Sequence, residues 1–257
     1  MFRTVFRRPF SWIRRGMRTL GYDIVRYREL PVDLQPEIVQ TVESVREFTM
    51  TSPLRISALC ESVRYLVESG IEGDIVECGV WRGGSMMAVA QTLCRLGDRG
   101  RHLHLFDTFE GMTQPGTEDV SLTGESAARL MAQSNDRTSA ESIWCEAPLE
   151  GVRRALLGTG YPESKLHFVQ GRVEDTLPRA APERIALLRL DTDWYESTRH
   201  ELEHLFPRLV AGGVLIIDDY GHWKGARKAV DEYISSHRLP LLLQRIDYSG
   251  RCAIKVR

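Results

Sequence analysis

Two short apolar runs in the second half of the chain break abruptly into acids. Leu187, Leu188 and Leu190 lead into Asp191 and Asp193, and Val214 to Ile217 lead into Asp218 and Asp219. Apolar runs of this length without alternation suit strands covered on both faces of a parallel sheet. If the two strands are parallel neighbours, their carboxyl ends coincide and the acids converge at one mouth. Shorter runs of similar kind end at Cys78, at Asp107 and near Gly171. Between them the period changes to that of helices. Ile56, Leu59, Val63, Leu66 and Val67 make one apolar face behind Ser52, a good N-cap, and Pro53 at the first helical position, with Gly70 closing the end. Further helices are predicted over residues 86–96, 149–157, 195–210 and 224–237, with a weaker helical pattern over 31–48. The last two apolar stretches, around Leu242 and Ala253, have no crossover helix between them and predict an antiparallel hairpin closing the sheet.

Strand, glycine turn, helix, strand is the first half of a nucleotide-binding α/β unit. Residues 111–148 differ: they are rich in Thr, Ser, Glu and Gly and separate two regular units, which suits a mobile lid or a substrate-recognition segment. No repeat or linker divides the chain, so one domain is expected over 1–257, preceded within it by an arm over 1–48. That arm is arginine-rich and interleaved with Phe2, Phe6, Phe10, Trp12 and Ile13, and is read as packing on the domain or on a second subunit.

Composition narrows the function classes. A net charge of -1 over 257 residues supplies no field to recruit nucleic acid or an acidic membrane. No run is long enough to span a bilayer. The five cysteines are scattered without metal or redox spacing, so free thiols in a reducing cytosol are expected.

The converging acids would repel one another unless protons or a cation are present, and a hard divalent cation with oxygen ligands is the economical answer. The glycine turn reads Gly79-Val80-Trp81-Arg82-Gly83-Gly84. Trp81 stands where a dinucleotide fold needs its middle glycine, which argues against a nicotinamide oxidoreductase, and no Gly-Lys-Ser/Thr follows for a phosphate loop. Glu77 at the strand end could hold a cationic amino group, and Asp107 could accept from a ribose diol. Together they ask for a ligand with a ribose, an amino acid end and no phosphate, features of S-adenosylmethionine. Phosphoester hydrolysis would share the aspartates without needing Glu77 and Asp107. A binding protein without chemistry would leave the aspartates idle. His200-Glu201-Leu202-Glu203-His204 matches a zinc-protease pattern, but the expected reading is two histidines on a solvated helix face.

The stretches E-C-G-V-W-R-G-G-S, L-F-D-T-F-E-G-M, L-D-T-D-W-Y-E-S-T and I-I-D-D-Y-G-H-W resemble the macrocin O-methyltransferase family of antibiotic-sugar methyltransferases, from about Met50 onward. The resemblance implies a class I methyltransferase fold, Rossmann-like, with a seven-stranded mostly parallel sheet. It implies magnesium dependence and methyl transfer from S-adenosylmethionine to a deoxysugar hydroxyl on a glycosylated small molecule, with a catechol-like diol as the alternative acceptor. By that similarity Asp191, Asp218 and Asp219 are expected as metal ligands. Thr51, Glu77, Gly79, Ser85, Asp107, Thr108 and Asp193 are expected at the cofactor. Asp175 is placed by the residue reading to accept from the adenine amino group. Catechol-type enzymes have a lysine base where this chain has Trp194, so the proton acceptor is expected to be Asp191, with His222 in reserve. A homo-oligomer is expected.

Overall fold

A computed structural model describes residues 16–20, 30–137, 139 and 142–256. Leu34–Arg257 forms one compact unit, and Met1–Asp33 clusters separately. The packing expected of the basic N-terminal arm falls mainly on residues outside those described.

The unit from Leu34 opens with α1 (Pro36–Val45) and α2 (Pro53–Glu68). The Ser52 side chain caps α2 by accepting from the Arg55 amide, as the sequence pattern requires. There follow β1 (Asp74–Cys78), α3 (Gly84–Leu96), β2 (Leu103–Asp107), α4 (Ala127–Gln133), α5 (Leu149–Leu157) and β3 (Leu166–Gln170). A short α6 (Val173–Thr176), β4 (Ile185–Leu190), α7 (Tyr195–Leu205), β5 (Leu209–Ile217), α8 (Lys224–Ser236), β6 (Gln244–Arg245) and β7 (Arg251–Ile254) complete it.

The strands form one seven-stranded sheet in the order β3-β2-β1-β4-β5-β7-β6. The five strands from β3 to β5 run parallel, while β7 is antiparallel to both β5 and β6. Every residue of β4 is buried, as befits a central strand covered on both faces, including Arg189 in its otherwise apolar run. The registers Cys78↔Leu190 and Leu190↔Ile217 bring three strand ends level. The ladder continues one step further: the Asp191 amide donates to the Cys78 carbonyl and the Asp218 amide to the Leu190 carbonyl. The acids that follow therefore open at one edge.

Two boundaries differ from expectation. The helix predicted over 195–210 ends at Leu205, because Pro207 lies in a 3-10 turn, Phe206–Arg208. The freed residues join β5, which begins at Leu209 and carries an irregularity opposite Ile185 and Leu187. In the C-terminal hairpin only Gln244–Arg245 pairs as β6, while Leu239, Leu241 and Leu243 pack instead against the core beneath β4 and β5.

Gly79 shows why the turn after β1 needs glycine. Its φ is +82°, and a Cβ there would sit 2.0 Å from the Asp191 carbonyl oxygen. Backbone this close cannot move without shifting the β4 end. We predict that Gly79→Ala destabilises the fold by about 2–4 kcal/mol, combining left-handed strain with overpacking. Urea unfolding followed by circular dichroism measures it.

Candidate active site

The residue on which the site is built stands inside β4. Arg189 is 3% exposed, and its guanidinium reaches four oxygens from four elements. Nη1 donates to Glu77 Oε1 at 2.7 Å and to Asp191 Oδ2 at 2.6 Å; Nη2 donates to Asp218 Oδ1 at 2.7 Å and to Thr51 Oγ1 at 2.9 Å. Glu77 is its register partner on β1. Desolvation would lower the Arg189 pKa, but Asp191, Asp218 and Glu77 together hold it well above the usual value. A buried guanidinium is tolerated only when its donors are paired in this way.

Arg55, on α2, takes the other side of Asp218: Nη1 pairs with Oδ2, and Nε lies 3.1 Å from Asp247 Oδ2. Both Asp218 oxygens are thus committed to arginines. The expected ligand Asp218 therefore meets two guanidiniums in this structure. The carboxylates whose oxygens lie within 4.8 Å of one another are Asp191, Asp193 and Asp219. Asp219 Oδ2 is shielded from solvent and has no hydrogen-bond partner. Burial pushes Asp191 and Asp219 well above the ordinary aspartate value, with Arg189 opposing at Asp191 and the other acids adding to the rise. Burial raises Asp193 to about 7, although a hydrogen bond with Asp219 opposes the shift. Asp193 also adopts φ 68°, an uncommon conformation for a non-glycine residue, which turns its carboxyl towards the other two.

These acids lie in a cleft of about 430 Å³. Thr51, Gly79, Ser85, Asp107, Thr108, Asp191, Asp193, Asp218, Asp219 and His222 all line it, as the sequence reading requires of a shared site. Asp107 does more than face a ligand. Its Oδ2 accepts from the Val80 and Trp81 amides at 2.6 and 3.0 Å, and its Oδ1 from the Phe109 amide at 2.7 Å. The turn's amides are therefore spent on a carboxylate, and Trp81, at φ 47°, occupies the approach a pyrophosphate would need.

Two expected cofactor residues are placed differently. Glu77 lies beneath the floor, 1% exposed, with Oε1 on Arg189 and Oε2 unpartnered. It is not among the lining residues. Burial brings it to about 7 despite Arg189. Asp175 is exposed, and its neighbour Glu174 lines the cleft instead; successive residues of α6 point about 100° apart. Arg189, Arg55, Cys145 and Tyr248 were not singled out in the sequence.

The segment over 111–148 covers the cleft from one side. Met112, Leu130, Ile143 and Trp144 pack against Ala127, Met131, Trp194, Trp223 and Ala226. Ser121 pairs with Trp223, after β5, through an isolated bridge. The Trp194 indole donates to the Thr113 carbonyl at 3.0 Å, so the position of the catechol-type lysine is filled by a lid support.

A sheet of this order, with acids converging at the carboxyl ends of its central strands, defines a class I methyltransferase domain. The chain belongs to the TylF macrocin-O-methyltransferase family, whose profile it matches over residues 40–253. It is 33% identical over 233 residues to the Streptomyces olivaceus 8-demethyl-8-(2,3-dimethoxy-alpha-L-rhamnosyl)-tetracenomycin-C 4'-O-methyltransferase, covering 87% of this chain and 85% of that one. To the Micromonospora griseorubida mycinamicin III 3''-O-methyltransferase it is 32% identical, over 79% of this chain and 76% of the other. Among solved structures the O-methyltransferase NovP superposes with TM-score 0.70 at 31% identity, covering 82% of this chain and 83% of that one. The protein is an O-methyltransferase.

Two predictions follow from the buried charges. Arg189→Met leaves Glu77 and Asp218 without their shared cation and should cost about 3–5 kcal/mol in denaturant unfolding, or prevent folding outright. The second concerns pH. Glu77 and Asp193 titrate near 7 in the folded protein against ordinary values of 4.5 and 3.8, so the native state binds more protons between those limits. Their contribution is fully present below the unfolded values and is lost as pH rises to about 7. Cation-free protein should therefore lose thermal stability from those two groups as pH rises from 4.5 through 7, measured by calorimetry in chelator.

Proposed function

We propose that the cleft binds S-adenosylmethionine and transfers its methyl group to a hydroxyl of a deoxysugar carried by a glycosylated natural product, with Mg²⁺ as the metal. The family supports the donor. The sugar acceptor rests on the relatives, whose names specify rhamnosyl and mycinamicin O-methylation. The observation that carries the metal is the trio Asp191, Asp193 and Asp219, with one buried oxygen left unpartnered. An all-oxygen, carboxylate-rich donor set fits a hard divalent cation. When bound, that ion would fix a sugar diol and lower the pKa of the attacking hydroxyl.

The protein's own share is alignment and proton removal. Methyl transfer from a sulfonium is an in-line displacement, and holding two reactants in attack geometry contributes on the order of 7–11 kcal/mol. Asp191 is the proposed proton acceptor: Arg189 engages Oδ2 and fixes the carboxylate while leaving Oδ1 without an arginine. Asp193 is a second acceptor favoured by a specific observation. It carries no arginine, and its value of about 7 is matched to general base work near neutral pH. His222 stands in reserve at the cleft wall; burial and Arg55 keep its imidazole neutral at pH 7. The packed segment over 111–148 would exclude water and meet the bulky remainder of the substrate. A catechol-like acceptor is the lesser reading, because buried Trp194 offers no base. The five free thiols fit a reducing compartment, and a homo-oligomer is the proposed assembly.

Asp191→Asn and Asp219→Asn should each lower turnover by about 10²–10⁴-fold, the range for losing a positioned acid or base. Both should leave S-adenosylhomocysteine binding in calorimetry near wild type. Mass spectrometry of candidate glycosides, with cofactor and Mg²⁺, reads the methyl gain. Full activity in excess chelator would end the metal assignment, and no heat with S-adenosylhomocysteine would end the donor assignment.

A further inference from the structure

We propose that the outer face of α7 carries a second metal site, in which His200, Glu203 and His204 bind one divalent transition-metal ion of the zinc type. The spacing places the three side chains on one face, since residues three and four apart are neighbours on a helix. One ring nitrogen from each histidine and a carboxylate oxygen of Glu203 lie within 4.8 Å of one another. Tetrahedral bonds of about 2.0–2.2 Å to zinc put the donors roughly 3.3–3.6 Å apart, so side-chain rotations that draw them together by up to about 1.5 Å complete the set. The two rings already meet edge to face, with centroids 4.3 Å apart.

The histidines are half-buried rather than solvated, which departs from the sequence expectation. His200 Nε2 is shielded from water and has no hydrogen-bond partner, so nothing among the described residues competes for it. Glu203 Oε1 accepts from Arg199 at 2.8 Å, an exposed pair that a metal can displace and that leaves Oε2 free of that arginine.

This site is chemically unlike the acid cluster at the cleft. Two imidazoles and one carboxylate suit zinc, cobalt or nickel, whereas a set made only of carboxylates suits magnesium. It is also separate, since His200 to His204 lie about 7–14 Å along the helix axis from Tyr195 at 1.5 Å per residue. The site does not make a hydrolase. Glu201, which would be the base of the protease pattern, is fully buried on another face, accepting from Thr192 Oγ1 at 2.9 Å. The ion would bind the last two turns of α7 together and leave one coordination position open.

The test is cobalt(II) titration of the full-length protein in excess Mg²⁺, followed by visible absorbance and by thermal unfolding. Wild type should take up one cobalt with a rise in Tm, and zinc should displace it. His204→Ala and His200→Ala should each weaken binding by about tenfold or more, since even losing a group that only hydrogen-bonds to a ligand costs about 10–100-fold. Asp191→Ala should bind cobalt as wild type does. If a histidine variant fails to fold, Glu203→Gln on the exposed helix surface gives the same comparison. The proposal is overturned if wild type binds no cobalt in excess Mg²⁺. It is equally overturned if binding survives both histidine substitutions, which would assign the ion to thiols or to the acid cluster.

Discussion

A single guanidinium at the bottom of the cleft decides where every other charge can sit. Arg189 is fully enclosed in the sheet, and its donors run to β1, to the segment before α2, and to the acids that follow β4 and β5. Without it, Glu77 and Asp191 would sit in a water-poor volume with no paired cation and Asp218 would keep only Arg55, and an unpaired buried ion costs several kcal/mol. With it, the same acids become an ordered floor. The arrangement also sorts them. Glu77 and Asp218 are held as structural counter-ions, while Asp191 is held by one oxygen and presents the other.

The parallel register converts this local pairing into a site. Because Cys78, Leu190 and Ile217 lie level, the residues immediately beyond them emerge together at the sheet edge where open α/β folds place their ligands. The backbone there is forced into uncommon conformations: Trp81, Phe109, Cys145 and Asp193 all have positive φ without being glycine. Each costs of order 1–3 kcal/mol, and such strain persists only where the surroundings impose it. Here the imposing contacts are visible: the Trp81 and Phe109 amides are held by Asp107, and Asp193 by Asp219.

How much of this could be read from the chain depends on which physical rule each residue obeys. The parallel strands obey burial, and their mostly apolar runs mark them in the chain; β5 starts ahead of the run Val214 to Ile217, because Gly212 and Gly213 belong to an irregular part of the strand. The convergence of Asp191 with Asp219 followed from strand parallelism alone. What was missed follows from pairing, which periodicity does not encode. Arg189 interrupts L-L-R-L in a strand that must be buried on both faces, and that interruption was the available signal: a charge in such a position demands partners. In this structure Arg189 pairs with Asp218, expected as a metal ligand, and with Glu77, expected at an amino group. Asp175, expected at the adenine, is exposed while Glu174 lines the cleft, since one step along α6 exchanges inward for outward. The H-E-x-x-H stretch was correctly separated from proteolysis, but the two histidines are less solvated than their helix position suggested.

The two arginines and the acid trio also explain how the site can hold a cation without depending on it to fold. Asp218 is neutralised permanently by Arg189 and Arg55. Among the described residues, Asp191, Asp193 and Asp219 have one arginine contact, from Arg189 to Asp191, and burial moves all three upwards. In the absence of a metal they retain protons, which removes most of their mutual repulsion. The proposed divalent ion would then bind by displacing protons rather than by assembling a site from dispersed residues, which makes occupancy and protonation two states of one framework. Had Asp218 been left without its arginines, four acids would have faced one another, and a cation or further protons would have been a condition of folding. The committed guanidiniums therefore separate the stability of the sheet mouth from the occupancy of the acid trio by the proposed ion.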